Sequence, residues 1–277
     1  MKVTEQAYAK INLFLDVTER REDGFHNIVS VMQSVSLFDT IILEATKSDK
    51  TRITLVCDDT NIPTDENNLI YKSALKYLSF YGINADVYIE LSKRIPVGAG
   101  LGGGSSDAAA TLRAMNRIFG FATESELLQL AAELGSDVPF CLNGGRALCT
   151  GRGEKINPIS VFPMNYIVIS IGRERVSTPV AYRALDQKYS NFDGNSYLPV
   201  KYEGQLYNIF ESVTEITEIN VIKEIMTKNG AESTMMSGSG PSVFGIFTNE
   251  SDAEKATSSL IDKGFFAYCC QTVKGEL

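Results

Sequence analysis

The five cysteines of this 277-residue sequence, Cys57, Cys141, Cys149, Cys269 and Cys270, are odd in number and scattered, with no C-x-x-C spacing. That pattern signals neither a disulfide framework nor a zinc site, and it reads as buried thiols. Tryptophan is absent, and histidine occurs once, at His26. No stretch approaches the roughly 18 apolar residues of a membrane span. The apolar segment near the N-terminus is broken by Lys10 and Asn12, with no cleavage-site pattern after it. These absences predict a cytoplasmic protein with no membrane partner. Basic clusters interleaved with aromatics are also missing, and a formal net charge of −8 opposes broad attraction to nucleic acid. An anionic ligand must then be attracted locally, by lysines, backbone N–H groups or helix ends. With no low-complexity run, the chain is long enough for one large domain or two closely packed ones.

What is present is regular patterning. Residues 6–17 alternate, with Ala9, Ile11, Leu13 and Leu15 on one face and Tyr8, Lys10, Asn12 and Phe14 on the other, which is strand periodicity. Further strands are expected at VSVMQSVSLF, DTIILEA, RITLVC and ADVYIELS. A helix is expected over ENNLIYKSALKYLSFYG with Gly82 as its terminator, another over about 105–118, and a third from Thr123 to Gly135 with Glu126 in capping-box spacing. Beyond residue 160 the pattern reads as a strand at NYIVISIG and a helix at TPVAYRALDQKY, then a weakly patterned stretch and helices near 204–229. A hairpin across MMSGSGPSVFGIF, a helix at SDAEKATSSLIDKG and a strand at FFAYCCQTV follow. Strands and helices in blocks predict an α+β fold, with a boundary between 155 and 165.

One segment concentrates glycine: PVGAGLGGGSSDAAATL, residues 96–112, runs directly into an alanine-rich helix. Residues 98–103 satisfy G-x-G-x-x-G, and Glu124 lies about 20 residues on, but that fingerprint needs the acid at the end of the next strand. Glu124 falls in the first turn of an expected helix. A P-loop fails because Gly103 is followed by Gly104 rather than lysine. The physics outlasts both labels: glycines reach φ > 0 so that their N–H groups converge on an anion. Ser105 and Ser106 can cap or line a helix whose N-terminus favours phosphate. The alternative is a flexible linker with a serine cap.

The segment resembles the P-x-x-x-G-L-G-S/G-S-S phosphate loop of the GHMP small-molecule kinases, named for galactokinase, homoserine kinase, mevalonate kinase and phosphomevalonate kinase. AKINLFLDV, REDGFH, GSDVPF and MMSGSGPSVFGIF resemble the family's other motifs, in family order over the whole chain. The resemblance implies a two-domain α+β architecture: residues 1–160 of the ribosomal-protein-S5 type, and residues 161–277 ferredoxin-like. It implies ATP, Mg²⁺ bridging the ATP phosphates with no metal site on the protein, and a loop made of Pro96, Val97, Gly98, Ala99, Gly100, Leu101, Gly102, Gly103, Gly104, Ser105 and Ser106.

It further implies that Asp137 accepts a proton from the attacking hydroxyl and that Lys10 polarises that hydroxyl, which predicts a Lys10–Asp137 contact. From the residues alone, Lys10 also reads as an edge-strand lysine, Asp137 as a helix N-cap and His26 as a structural residue. The resemblance makes Asn12 a substrate contact, His26 a cytosine contact, and Tyr182 the other side of a cytidine clamp, with a core role for Tyr182 also open. Phe25 replaces the usual tyrosine beside His26, which preserves a stacking face and loses a hydroxyl. The implied acceptor is a cytidine diphosphate-linked methylerythritol, phosphorylated on its 2-hydroxyl in the non-mevalonate isoprenoid pathway, by a monomer or weak homodimer. Two other readings stay open: a GHMP kinase for a mevalonate-like or sugar alcohol, and a non-catalytic ligand sensor on the same fold. Ile209, in YNIFE, departs from the family's usual Asn-Asp and bears on packing on the acceptor side. SGSGPS, residues 237–242, is implied to fold beside the phosphate loop, although a plain hairpin turn also accounts for it.

Overall fold

The computed structural model describes residues 1–159, 166–189 and 204–275. Most of the 155–165 boundary region and most of the weakly patterned stretch after Tyr189 lie outside the described residues. In chain order the elements are β1 (Lys2–Arg20), β2 (His26–Lys47), β3 (Arg52–Cys57), α1 (Leu69–Phe80), β4 (Ala85–Ser92), α2 (Gly103–Phe119), α3 (Glu124–Leu134), α4 (Val138–Asn143), β5 (Arg146–Gly151) and β6 (Lys155–Pro158). Then come β7 (Tyr166–Ile171), α5 (Thr178–Lys188), β8 (Tyr207–Asn208), a 3-10 turn (Ile209–Ser212), α6 (Thr217–Lys228), β9 (Ser233–Met236), β10 (Val243–Phe247), α7 (Glu250–Asp262) and β11 (Phe266–Gln271).

The chain forms two compact units. Unit 1 comprises Met1–Ala9, Leu37–Val97 and Gly102–Asn143; unit 2 comprises Lys10–Ser36, Gly98–Leu101 and Gly144–Leu277. In unit 1, β3 and β4 pair in parallel with α1 as their crossover, and β4 pairs antiparallel with the second half of β2, from Thr40↔Ser92 to Lys47↔Ala85. Helix α2 packs against α1, α3 and α4. Its Ala108, Ala109, Ala110 and Ala114 are fully buried, and their small side chains let the neighbouring helices approach closely. Helix ends follow local chemistry. Asn68 caps α1 by accepting from Ile70 N–H, and Thr123 with Glu126 forms the expected capping box on α3.

Two expectations change in unit 1. The pattern divides residues 29–45 into two strands before Asp39, whereas β2 runs through that point unbroken. Asp39 can stay in the strand because its buried carboxylate is satisfied: Oδ1 accepts from the N–H groups of Arg94 (2.5 Å) and Ile95 (2.8 Å), and Oδ2 from Lys93 Nζ (2.5 Å). Helix α2 begins at Gly103 rather than near Ser105, with Gly102 at the cap position (φ 70°). The serines therefore do not cap it. They occupy its first turn, where the Ser106 hydroxyl donates to the Tyr8 carbonyl at 2.6 Å.

Unit 2 contains the other halves of β1 and β2. β8 joins β1 in parallel at Phe14↔Tyr207 and Leu15↔Asn208, and β5 joins β2 from Ile28↔Gly151 to Gln33↔Arg146. Its second sheet has the order β11-β7-β10-β9, with antiparallel pairs throughout. Taken with helices α6 and α7, whose contacts fall on that sheet, this is the strand order and connectivity of a ferredoxin-like fold. Leu15, Val17, Val168, Ile222, Met226, Val243 and Phe247 share one apolar core. The helices expected near 204–229 resolve into the short β8, the 3-10 turn and α6, because the Asn208 side chain diverts the chain by accepting from Phe210 N–H at 3.0 Å.

Candidate active site

In unit 2 the face of β1 that carries Lys10 and Asn12 is sealed from water: Lys10 is 4% exposed and Asn12 1%. An ammonium at that depth needs an acceptor. Lys10 Nζ donates to Asn12 Oδ1 at 2.8 Å, and Asn12 Nδ2 donates to Ser30 Oγ at 2.8 Å, which donates in turn to the Phe14 carbonyl. The spacing of two that puts both side chains on one strand face thus produces a hydrogen-bonded chain across to β2.

The same strand holds the glycine loop and the SGSGPS turn. Lys10 N–H donates to the Leu101 carbonyl at 2.9 Å, and Asn12 N–H donates to Ser237 Oγ at 3.2 Å. Ser237 Oγ donates to the Gly100 carbonyl at 3.2 Å, and Ser242 N–H to the Ala99 carbonyl at 3.3 Å. Gly100 has φ +77°, and a Cβ there would fall inside contact distance of the Ser237 carbonyl. Glycine is thus needed at this position for both its φ and its size. Residues 237–242 are accordingly more than a hairpin turn: they brace residues 99–101.

In unit 1 the rest of the loop becomes a helix N-terminus. Because the first α2 bond runs from Ser106 N–H to the Gly102 carbonyl (2.8 Å), the N–H groups of Gly103, Gly104 and Ser105 have no place in the helical ladder. Gly104 is exposed, and Gly103 and Ser105 are half-buried. Together with the helix dipole they make an anion site. Pro96 and the exposed Val97 lead into the loop. Beneath it, Lys93 Nζ bridges the carboxylates of Asp39 and Asp107 at 2.5 and 2.8 Å. Burial pushes the Asp107 carboxyl well above the ordinary carboxylate range, with Lys93 opposing and Asp39 assisting. Burial also works to lower the Lys93 pKa, but the two carboxylates win and raise it.

Asp137, also in unit 1, is half-buried immediately before α4, and its carbonyl accepts from Cys141 N–H at 3.0 Å. That is the backbone position of a helix N-cap. Lys10 belongs to unit 2 and Asp137 to unit 1.

The residues expected to hold a base do meet within unit 2. His26, 8% exposed, stacks on Tyr182 with ring centroids 4.8 Å apart and planes 25° from parallel. Tyr182 in turn meets Phe210 edge-on at 4.9 Å. The His26 and Tyr182 rings face each other directly, so a base inserted between them requires them to separate. Phe25 is 52% exposed, with the Arg152 guanidinium 5.1 Å from its ring centroid.

Several residues of this region are not among those the sequence motifs single out. Asp186 Oδ1 lies 2.8 Å from His26 Nε2; it is four residues after Tyr182, a spacing that puts both on one face of α5. Asn208 Nδ2 donates to the carbonyls of Met236 and Gly238, both at 2.8 Å, and Glu211 Oε1 accepts from Met236 N–H at 2.7 Å. YNIFE therefore holds the SGSGPS turn, while Ile209 itself lies in the apolar core of unit 2. Asp16, 1% exposed, shares the strand face of Lys10 and Asn12 and accepts from Val17 N–H at 2.9 Å. Burial pushes its carboxyl up to about 6.

Among the described residues, no group of three or more His, Cys, Asp or Glu side chains could hold a metal ion, and no helix is long and apolar enough to cross a membrane.

The family description "GHMP kinases N terminal domain" matches residues 68–145, and "GHMP kinases C terminal" matches residues 202–265. A 4-diphosphocytidyl-2-C-methyl-D-erythritol kinase of Caldicellulosiruptor saccharolyticus is 43% identical over 269 residues, covering 92% of this chain and 91% of its own. One from Bacillus subtilis is 41% identical over 281 residues, covering 96% and 94%. The crystal structure of a 4-(cytidine 5'-diphospho)-2C-methyl-D-erythritol kinase superposes with a TM-score of 0.82 at 32% identity, covering 99% of this chain and all of that one. With the glycine loop, the buried Lys10–Asn12 pair and the SGSGPS brace already in place, these likenesses identify the chain as a GHMP kinase, belonging to the 4-diphosphocytidyl-2-C-methyl-D-erythritol kinases.

Proposed function

We propose that this kinase transfers the γ-phosphoryl group of ATP to the 2-hydroxyl of 4-(cytidine 5′-diphospho)-2-C-methyl-D-erythritol, a step of non-mevalonate isoprenoid synthesis in the cytoplasm. The observation that carries the acceptor is the 43% identity across nine-tenths of both chains to a relative so named. The nucleotide side is supported by the N–H groups of Gly103, Gly104 and Ser105 and by the glycines of residues 98–104 that lead to them. In this reading residues 96–106 hold the ATP phosphates, and Mg²⁺, carried on those phosphates, supplies charge neutralisation. Asp137 takes the hydroxyl proton as the oxygen attacks phosphorus, and Lys10 polarises that hydroxyl.

Asn12 orients Lys10 and contacts the acceptor. His26, Phe25 and Tyr182 recognise the cytosine, with the His26–Tyr182 stack opening for it or presenting one outer face. We further propose that residues 1–160 and 161–277 are the two domains, since one family match falls in each, and that the protein works as a monomer or weak homodimer without a nucleic-acid or membrane partner.

The test is ADP release from purified protein given ATP, Mg²⁺ and, separately, the cytidyl-methylerythritol, mevalonate, homoserine or galactose. Turnover with the cytidyl compound alone is the expected result. Turnover with another acceptor keeps the kinase and replaces the substrate. Silence with all four, while ATP still binds, points to a ligand sensor.

A further inference from the structure

The three charges beneath the phosphate loop do not balance. Asp39 and Asp107 face a single ammonium, that of Lys93, and all three side chains are at most 6% exposed. Asp39 is fully occupied, since its two oxygens take two backbone N–H groups and the ammonium. Asp107 is not: Oδ2 takes Lys93, whereas Oδ1 is buried with no hydrogen-bond partner. A buried, ionised carboxylate with one bare oxygen is unfavourable, and a proton on that oxygen removes the surplus charge.

The cluster also adjoins the anion site. Asp107 lies in the second turn of α2, and a Cβ built on Gly103, whose N–H is one of the open donors, would come within 3.3 Å of Lys93 Nζ and 3.0 Å of Ile95 Cγ2. The charged groups acting on Asp107 are Lys93, from the segment after β4, and Asp39, from β2. Helices α1, α3 and α4, which also pack against α2, add none among the described residues.

We propose that Asp107 is a positioning residue that carries a proton for nucleotide binding: polyphosphate arriving at the α2 N-terminus draws a proton from solvent onto Asp107 Oδ1, leaving Lys93 paired with Asp39. Nucleotide affinity is thereby linked to pH. This inference rests on the reading that residues 96–106 bind ATP. The direction follows from the charges. Negative charge added at the helix N-terminus disfavours a second ionised carboxylate behind it, so the bound state holds more protons than the free state. Affinity then falls as pH rises. The raised Asp107 pKa agrees with a group near its titration in the free protein.

The experiment is calorimetric binding of ADP to the whole protein in buffers of different ionisation enthalpy, for the wild type and Asp107→Asn. The wild type is expected to take up a fraction of a proton per ADP beyond any that Asp107→Asn takes up. Its affinity should weaken by up to about tenfold per pH unit above neutrality, against a flat profile in the variant. A purely structural Asp107 would change affinity in the variant without changing the proton count. Equal proton counts in both proteins overturn the inference and leave ATP binding intact. Absence of ADP binding in both overturns the nucleotide reading and this inference with it. Should Asp107→Asn fail to fold, infrared difference spectra of the wild type decide: ADP must increase the protonated-carboxyl band, and no increase overturns the inference.

Discussion

Asp16 and Asp137 are both aspartates in motif segments, and their surroundings give them different work. Asp16 is buried with a single backbone N–H to accept, so its carboxyl rises from 3.8 to about 6. A carboxyl raised in the folded state contributes stability that is fully present below its unfolded value and is lost as pH climbs through its folded value. Asp16→Asn is therefore expected to stabilise the protein at pH 7 by about 1–2 kcal/mol, with the gain shrinking to nothing near pH 4. Urea unfolding midpoints at the two pH values measure it; an equal gain at both would show that the carboxyl does not titrate between them. Asp137, half-buried at a helix start, is assigned to proton transfer. Asp137→Asn is expected to lower kcat by about 10²- to 10⁴-fold while ADP affinity stays within about twofold. A loss confined to KM for ATP would reassign it to nucleotide binding.

At the scale of elements, the glycine loop is a left-handed connection held by a turn from far along the chain. Gly100 adopts a left-handed φ against the Ser237 carbonyl, and Ser237 and Ser242 hydrogen-bond the loop backbone. Gly100→Ala would add the left-handed penalty of an L-residue to a backbone clash. The expected cost is about 2–4 kcal/mol of stability or an equivalent loss of ADP affinity, read by thermal melts with and without ADP. Near-wild-type values in both would mean that the contact is soft. The local ends of α1 and α3 were legible beforehand because capping depends on residues within a few positions of one another, as in the Thr123–Glu126 box. The start of α2 was not, because serine chemistry pointed to a cap at Ser105 or Ser106 while a glycine in the left-handed region turned the chain two residues earlier. The continuity of β2 through Asp39 was equally hidden, since the groups that satisfy that carboxylate lie about 55 residues away.

For the whole molecule, the net charge of −8 leaves attraction of an anion to local groups, the open N–H donors of the α2 N-terminus and the ammonium of Lys10, since Lys93 is outweighed by its two aspartates. If those sites are as assigned, ADP at about 100 times its dissociation constant should add about 2.7 kcal/mol of stability, a rise in Tm of about 5 °C. Cytidine diphosphate should add a separate increment and homoserine none. Scanning calorimetry checks this, and a shift with homoserine alone would count against the acceptor. The sequence by itself determined most strand and helix types, the capped ends of α1 and α3, the place of the glycine loop before α2 and the kinase family, because periodicity, capping and glycine-rich spacing act through near neighbours in the chain. Only the tertiary structure decided what those residues face. It set Asn208 and Glu211 to hold the SGSGPS turn, Asp186 against His26, His26 directly on Tyr182, and two aspartates on one lysine beneath the loop. Each of these depends on burial and on pairing between distant segments, and a hydrogen bond across 160 residues leaves no spacing to read.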